Sequence, residues 1–187
     1  MEEESPPFPV LKTARLVLRE TDFSDIEEIY FLRSDADVNR HLGGGRCEDR
    51  EAAKAHITLV QEQFSCGKTF NWSICLRGSH RMIGSICLWN ISREMKTAEV
   101  GYALHPLHQN LGYMDESMKA VLDFGFRDQH YQLIDAYTGK DNLESAKLLL
   151  KNGFVCDQTK KDDENPDNRI YLLSREKWTP GKLYRGE

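Results

Sequence analysis

Leu104-His-Pro-Leu-His-Gln-Asn-Leu-Gly-Tyr-Met114 carries an extended segment through a tight turn into a helix that opens at Gly112. The first N–H groups of a helix have no intrahelical acceptors, and the helix dipole adds positive potential at that end. Such a terminus is an anion site, and glycine lets an anion approach the backbone closely. A glycine at a plain strand-to-helix connection has the same spelling, so the stretch alone leaves both readings open.

The segment before it, Ala98-Glu-Val-Gly-Tyr-Ala-Leu104, is read as a strand within Thr97–His105. Period two puts Val100, Tyr102 and Leu104 on one face and Glu99, Gly101 and Ala103 on the other. The second face is a carboxylate beside two very small side chains, which leaves room for a ligand. A glutamate salt-bridged to a neighbouring strand is the plain alternative. Further on, Asp141-Asn-Leu-Glu-Ser145 opens a helix after the strand Leu133–Tyr137. Asn142 and Ser145 can hydrogen-bond an amide-containing ligand or act simply as caps. Asp141 and Glu144 have capping-box spacing, and Gly153 suits the left-handed position after the helix.

The remaining elements complete the order. Ala14–Arg19 alternates as a strand, and Asp22–Asp25 caps a helix carrying Ile26, Ile29, Tyr30 and Leu32. A second helix runs from about Asp49 to Phe64, with Ala52, Ala55, Leu59 and Phe64 as its apolar stripe. Phe70–Leu76 and Met82–Trp89 form a hairpin about Gly78–His80. Gly112–Phe126 buries Met114, Met118, Val121 and Leu122, and Phe154–Gln158 and Arg169–Leu173 are the last strands. Strand, two helices, three strands, helix, strand, helix and two strands predict an α/β fold. It has a single mixed sheet of about seven strands with helices on both faces.

Composition narrows the function. The chain has 187 residues, 40% hydrophobic and 29% charged, and a net charge of -5. That fits one soluble domain and no dense cationic stripe, which argues against nucleic-acid binding. The five cysteines form no Cys-x-x-Cys pair, so free thiols and a cytoplasmic location are expected. No apolar run reaches the roughly 20 residues of a membrane span. His105 and His108 flank a proline without a third ligand at suitable spacing, so no metal is expected.

Five segments together resemble a known family. Gln109-Asn-Leu-Gly112 is similar to the acyl-CoA signature of the GNAT (Gcn5-related N-acetyltransferase) superfamily. Ala98-Glu-Val-Gly-Tyr102, with Gly112-Tyr-Met114 and Glu116, resembles its ribosomal-protein alanine acetyltransferase (RimJ/RimL-like) branch. Thr13-Ala-Arg-Leu-Val-Leu-Arg19 resembles that branch's first strand, Met82-Ile-Gly-Ser-Ile86 its hairpin, and Asn142-x-x-Ser145 with Leu148-Leu-Leu and Gly153-Phe154 its last helix and strand. The match spans residues 10–175, leaving 1–9 and 176–187 as flexible or lightly packed tails.

The resemblance implies a mostly antiparallel sheet whose fourth strand bulges and splays from the fifth, with pantetheine in the gap. Acetyl-CoA is the implied cosubstrate. Leu104 and His105, continuing to Pro106, would pair with pantetheine. Gln109, Asn110, Leu111, Gly112, Tyr113 and Met114 would cradle the pyrophosphate, and Asn142 and Ser145 would face the pantetheine or thioester. Glu99 matches the strand-four glutamate that serves as general base in several family members, and thiolate departure would rely on Ser145, on water, or on no acid at all. The implied partner is an amine acceptor, a peptide N-terminus or a small molecule, on a monomer or homodimer. The acceptor site would be bounded by Gly43–Arg46, the early helices and the loop Lys160–Asn168. There are departures: Met114 replaces Gly or Ala, Leu111 a common cation, Asp115 a common Thr, and Leu149 an acid-donating Tyr. The branch often has Met at position 114; Asp115, Leu111 and the missing Tyr support the alternative of a non-catalytic acyl-CoA-binding or regulatory protein.

Overall fold

The computed structural model describes residues 7–35, 38 and 47–180. Its sheet contains β1 (Leu11–Lys12), β2 (Leu16–Glu20), β3 (Phe70–Leu76), β4 (Met82–Ser92), β5 (Thr97–Leu104), β6 (Leu133–Gly139), β7 (Val155–Asp157) and β8 (Asn168–Ser174). The spatial order is β1-β2-β3-β4-β5-β6-β8-β7. Only β5 and β6 run parallel; the other neighbours are antiparallel. The mixed, mostly antiparallel sheet is the expected one. Its count reaches eight because Leu11–Lys12 pairs with Leu18 and Val17 at the edge.

Among the described residues, the longer helices are α1 (Ile26–Ser34), α2 (Arg50–Ser65), α3 (Tyr113–Asp123) and α4 (Leu143–Lys151). Asp22 closes a capping box with Asp25 before α1, and Asp49 caps α2 by accepting from the Ala52 N–H. One sheet face packs Leu16, Leu18, Trp72, Ile86, Val100 and Leu104 under Met118, Val121 and Leu122 of α3. The other face, around Met82 and Ala103, packs against Ile29 and Leu32 of α1 and Ala53 and Ile57 of α2. The alternation read from β5 therefore sorts its side chains onto these two faces.

Two local expectations are corrected. The buried face of α2 is Ala53, Ile57 and Val60, so the stripe is turned about one residue from Ala52, Ala55 and Leu59. Both sets have helical spacing, and the tertiary partner decides between them. At α4 the cap is Asn142, whose side chain accepts from the Ser145 N–H, and not Asp141. Gly153 has φ +88°, as the left-handed position requires. Gly43–Arg46, expected to border an acceptor site, lies outside the described residues. Phe8 packs edge-on against Phe64 and Trp72, and Trp178 packs against Phe126.

Candidate active site

The parallel pairing of β5 with β6 stops after three residues: Thr97 with Leu133, Ala98 with Ile134, and Glu99 with Asp135. Beyond Glu99, β5 stays on β4 up to Leu104, while β6 follows β8 up to Gly139. The two strands diverge, and the sheet opens from Val100 onward. Register on β4 is unbroken from Leu104 to Glu99 and shifts only between Trp89 and Ser92. The irregularity thus sits at the closed end of the opening. The divergence of β6 opens the gap, alongside a stretch of β5 whose register on β4 is regular.

Glu99 occupies the last paired position, at the apex of the opening. Asp135 lies beside it on β6 and Trp89 beside it on β4. Burial pushes the Glu99 carboxyl up to about 8, helped by the charge of Asp135 and, more weakly, Asp162 and Glu164; a hydrogen bond with Asn90 opposes the rise. Burial raises Asp135 as well. A carboxyl near 8 is poised to exchange protons near neutrality.

The turn read from the sequence as a candidate anion site lies at the other end of β5. His105 accepts the Leu107 N–H through Nδ1 and caps a short 3₁₀ turn, Pro106–His108. Its ring stacks on Phe31 at 4.4 Å. Gln109 donates through Nε2 to the Leu104 carbonyl, which ties the turn to the strand end. Asn110 and Gly112 have positive φ, and Gly112 starts α3 with no side-chain cap. The first helical bond runs from Glu116 N–H to Gly112 O. The N–H groups of Tyr113, Met114 and Asp115 therefore have no intrahelical acceptor, which is the arrangement an anion needs. Met114 itself points into the core and is 9% exposed. It can contribute its backbone to an anion, while its side chain anchors the helix.

Two residues that sequence reasoning passed over belong to this arrangement. Arg15 donates to the Leu111 carbonyl at 3.0 Å, pairs with Glu116 at 2.7 Å and lies over the Tyr113 ring. A cation thus stands at the turn although Leu111 is apolar. Glu116 also accepts from Thr13 Oγ1 and the Arg15 N–H. That contact joins the Thr13–Arg15 and Glu116 segments across about a hundred residues of chain, and no spacing rule reveals it. Tyr102 is the second: its hydroxyl lies 2.7 Å from Ser145 Oγ. The pair runs from β5, where β6 has already diverged, to the first turn of α4.

Asp115, one of the departures, is paired within the structure. Its carboxylate contacts Lys119 at 2.8 Å, Lys151 at 3.0 Å and Asn152 at 3.0 Å. Leu149 is fully buried and carries no proton to give. Among the described residues no group of three or more His, Cys, Asp or Glu is arranged to hold a metal ion. No described helix is long and apolar enough to cross a membrane. Burial pushes the Cys87 thiol up to about 12, so it is protonated near neutrality and a poor nucleophile.

Residues 15–155 match the family model described as an acetyltransferase (GNAT) domain. YoaA of Bacillus subtilis (strain 168), an uncharacterized N-acetyltransferase, is 32% identical over 147 residues, covering 79% of this chain and 83% of that protein. The ribosomal-protein-serine acetyltransferase of Escherichia coli (strain K12) is 27% identical over 117 residues, 57% of this chain and 65% of that protein. The structure of RimL, a ribosomal L7/L12 alpha-N-protein acetyltransferase in complex with coenzyme A, has the same fold. Its TM-score is 0.77 at 19% identity, over 89% of this chain and 98% of that one. The chain belongs to the GNAT family of N-acetyltransferases. Enzymes of this family use acetyl-CoA.

Proposed function

We propose that this protein transfers the acetyl group of acetyl-CoA directly to a primary amine, on a protein N-terminus or a small molecule. The observation that carries the reading is the position of Glu99 at the apex of the β5/β6 opening, beside Asp135. An α-amino group has a pKa of about 8, so acyl transfer needs a partner that removes its proton near neutrality. Glu99 is that base. The acceptor approaches on the face of Glu99, Asp135 and Trp89, where acidic groups favour a cationic amine.

The residues fit coenzyme A. The open N–H groups at Tyr113–Asp115, reached through Gly112, hold the pyrophosphate, with Arg15 as a nearby cation and Gln109, Asn110 and Leu111 shaping the turn. Leu104 and His105 offer backbone to the pantetheine arm along the opening, and Asn142 and Ser145 face it from α4. Acetyl-CoA supplies the activated acyl group. All five cysteines are free thiols, which fits a reducing compartment such as the cytoplasm.

A screen for release of free CoA thiol over N-terminal peptides, polyamines and other small amines tests the proposal. Thiol release that depends on one amine class is expected. Binding of coenzyme A without release on any amine would favour the non-catalytic alternative, and loss of binding would remove the site altogether.

A further inference from the structure

We propose that Tyr102 is a positioning residue for departure of the coenzyme A sulfur: its phenol donates to Ser145 Oγ and leaves the Ser145 proton aimed at that sulfur. The inference rests on the acetyl-transfer reading above.

The position of Leu149 is the starting point. Leu149 of α4 is fully buried and offers no hydroxyl to a departing thiolate. Ser145 lies one turn earlier on the same helix, held by the Asn142 cap. A lone serine hydroxyl has a single proton and two acceptor lone pairs. If it donated to Tyr102, it would have nothing left for a ligand. The two oxygens lie 2.7 Å apart, a contact in which either hydroxyl can donate; the phenol is the stronger acid, and it is assigned as the donor. The serine proton then remains free.

Tyr102 lies on β5 beyond its last pair with β6, at Glu99, and its hydroxyl meets Ser145 of α4. Glu99 and Tyr102 are three residues apart on one strand and so point to opposite faces. The amine loses its proton toward Glu99 on the α1/α2 face. The sulfur departs toward Tyr102 and Ser145 on the α3/α4 face. In the step itself, the amine nitrogen forms the C–N bond and the C–S electron pair leaves with sulfur. The resulting thiolate accepts a hydrogen bond from Ser145. Glu99 releases the amine proton to solvent, and the thiolate takes one from solvent after it leaves.

Single-turnover rates of Tyr102→Phe with acetyl-CoA and with its selenoester test this. The selenolate is the better leaving group and needs little help. Loss of one donated hydrogen bond predicts a slowing of about tenfold for the thioester. The selenoester should slow by less than about twofold, because a better leaving group depends less on a proton donor. Ser145→Ala should behave alike, and the double variant should be no slower than either single one. In binding titrations, the wild type should hold coenzyme A more tightly as its thiol ionises, and both variants should lose that pH dependence. Equal slowing of both donors, or additive effects in the double variant, would overturn the proposal, as would unchanged rates. If Tyr102→Phe fails to fold, the Ser145→Ala donor comparison decides by the same outcomes. A wild type that transfers to no amine would sink the acetyl-transfer reading instead.

Discussion

The two sides of the β5/β6 opening differ in charge. On the α3/α4 side lie an uncapped helix N-terminus and Arg15, and the one carboxylate that sequence comparison flagged there, Asp115, is matched by Lys119 and Lys151. On the α1/α2 side, Glu99 and Asp135 stand side by side, with Asp162 and Glu164 close enough to raise Glu99 further. One side suits an anion and the other a cation. A single strand, β5, connects them: its end feeds the anion turn, and its middle carries the raised carboxyl. Under the proposed function, fields of opposite sign on two faces of one gap would draw the anionic cosubstrate and the cationic acceptor to opposite sides of it.

The sharpest way to break this contrast is Glu99→Gln. Loss of a general base should slow transfer by roughly 10²–10⁴-fold while coenzyme A affinity is kept. In the wild type the rate should climb with pH to a plateau, with a midpoint near the raised value of about 8. Stability should move the other way. With a folded pKa above the unfolded one, the native state binds more protons than the unfolded state across pH 4.5 to about 8. Wild-type stability therefore falls through that window. Melting temperatures of Glu99→Gln relative to wild type should rise between pH 5 and 9. A flat difference would mean the carboxyl is not raised.

Gly112→Ala attacks the opposite side. With φ +79°, a side chain at this position is strained, and its Cβ would stand 3.4 Å from Arg15 Nη2. The left-handed conformation costs about 1–2 kcal/mol for a residue with a Cβ. Relief of that strain would tilt the first N–H groups of α3 away from an anion. Coenzyme A affinity by calorimetry should weaken about tenfold, in line with that penalty, with the pH midpoint of turnover unmoved. Unchanged affinity would separate the turn from the phosphates.

Much of this contrast was legible in the sequence, and the reasons are local. The period of β5 sorted Glu99 from Tyr102, and the Gly112 helix start was visible because backbone constraints act over a few residues. The cap at Asp22 follows from the same short-range physics. What escaped was tertiary. The rotation of α2 depends on which face meets the sheet. The Arg15–Glu116 and Tyr102–Ser145 contacts join distant segments, and the rise of Glu99 needs Asp135 in register across a parallel pair. The contacts of Asp115 with Lys151 and of Arg15 with the Leu111 carbonyl come from other elements, so the sequence pattern around the turn did not contain them.

Asp135→Asn sharpens the acidic side with a smaller effect. The charge of Asp135 is the second cause, after burial, of the raised Glu99 carboxyl. Its removal should lower the midpoint of the pH–rate profile and leave the plateau rate within about threefold, since the base itself remains. If Asp135 also attracts the acceptor, KM for the amine should rise while coenzyme A affinity stays constant. A midpoint that does not move would show that burial alone sets Glu99.

The smallest effect is expected at Asp115→Asn, and it decides whether the α3/α4 side is truly free of opposing charge. A carboxylate in the first turn of α3 would, if unmatched, repel a pyrophosphate seated on the same turn. Its removal would then tighten coenzyme A binding. In the structure, burial works against the charged form, yet contacts with Lys119, Lys151 and Asn152 outweigh it and hold the carboxyl below its usual range. The charge is committed to joining α3 to the end of α4. Loss of such partly exposed pairs costs about 0.2–1 kcal/mol each, so the variant should melt slightly lower at pH 7. A depressed folded pKa gives stability that is present above the unfolded value and lost as pH falls through the folded one. The deficit should accordingly shrink in acid. Coenzyme A affinity should stay within about twofold of wild type, less than the tenfold that 1.4 kcal/mol represents. Tighter binding in Asp115→Asn would mean that the carboxylate does face the phosphates and that the separation of charge across the opening is incomplete.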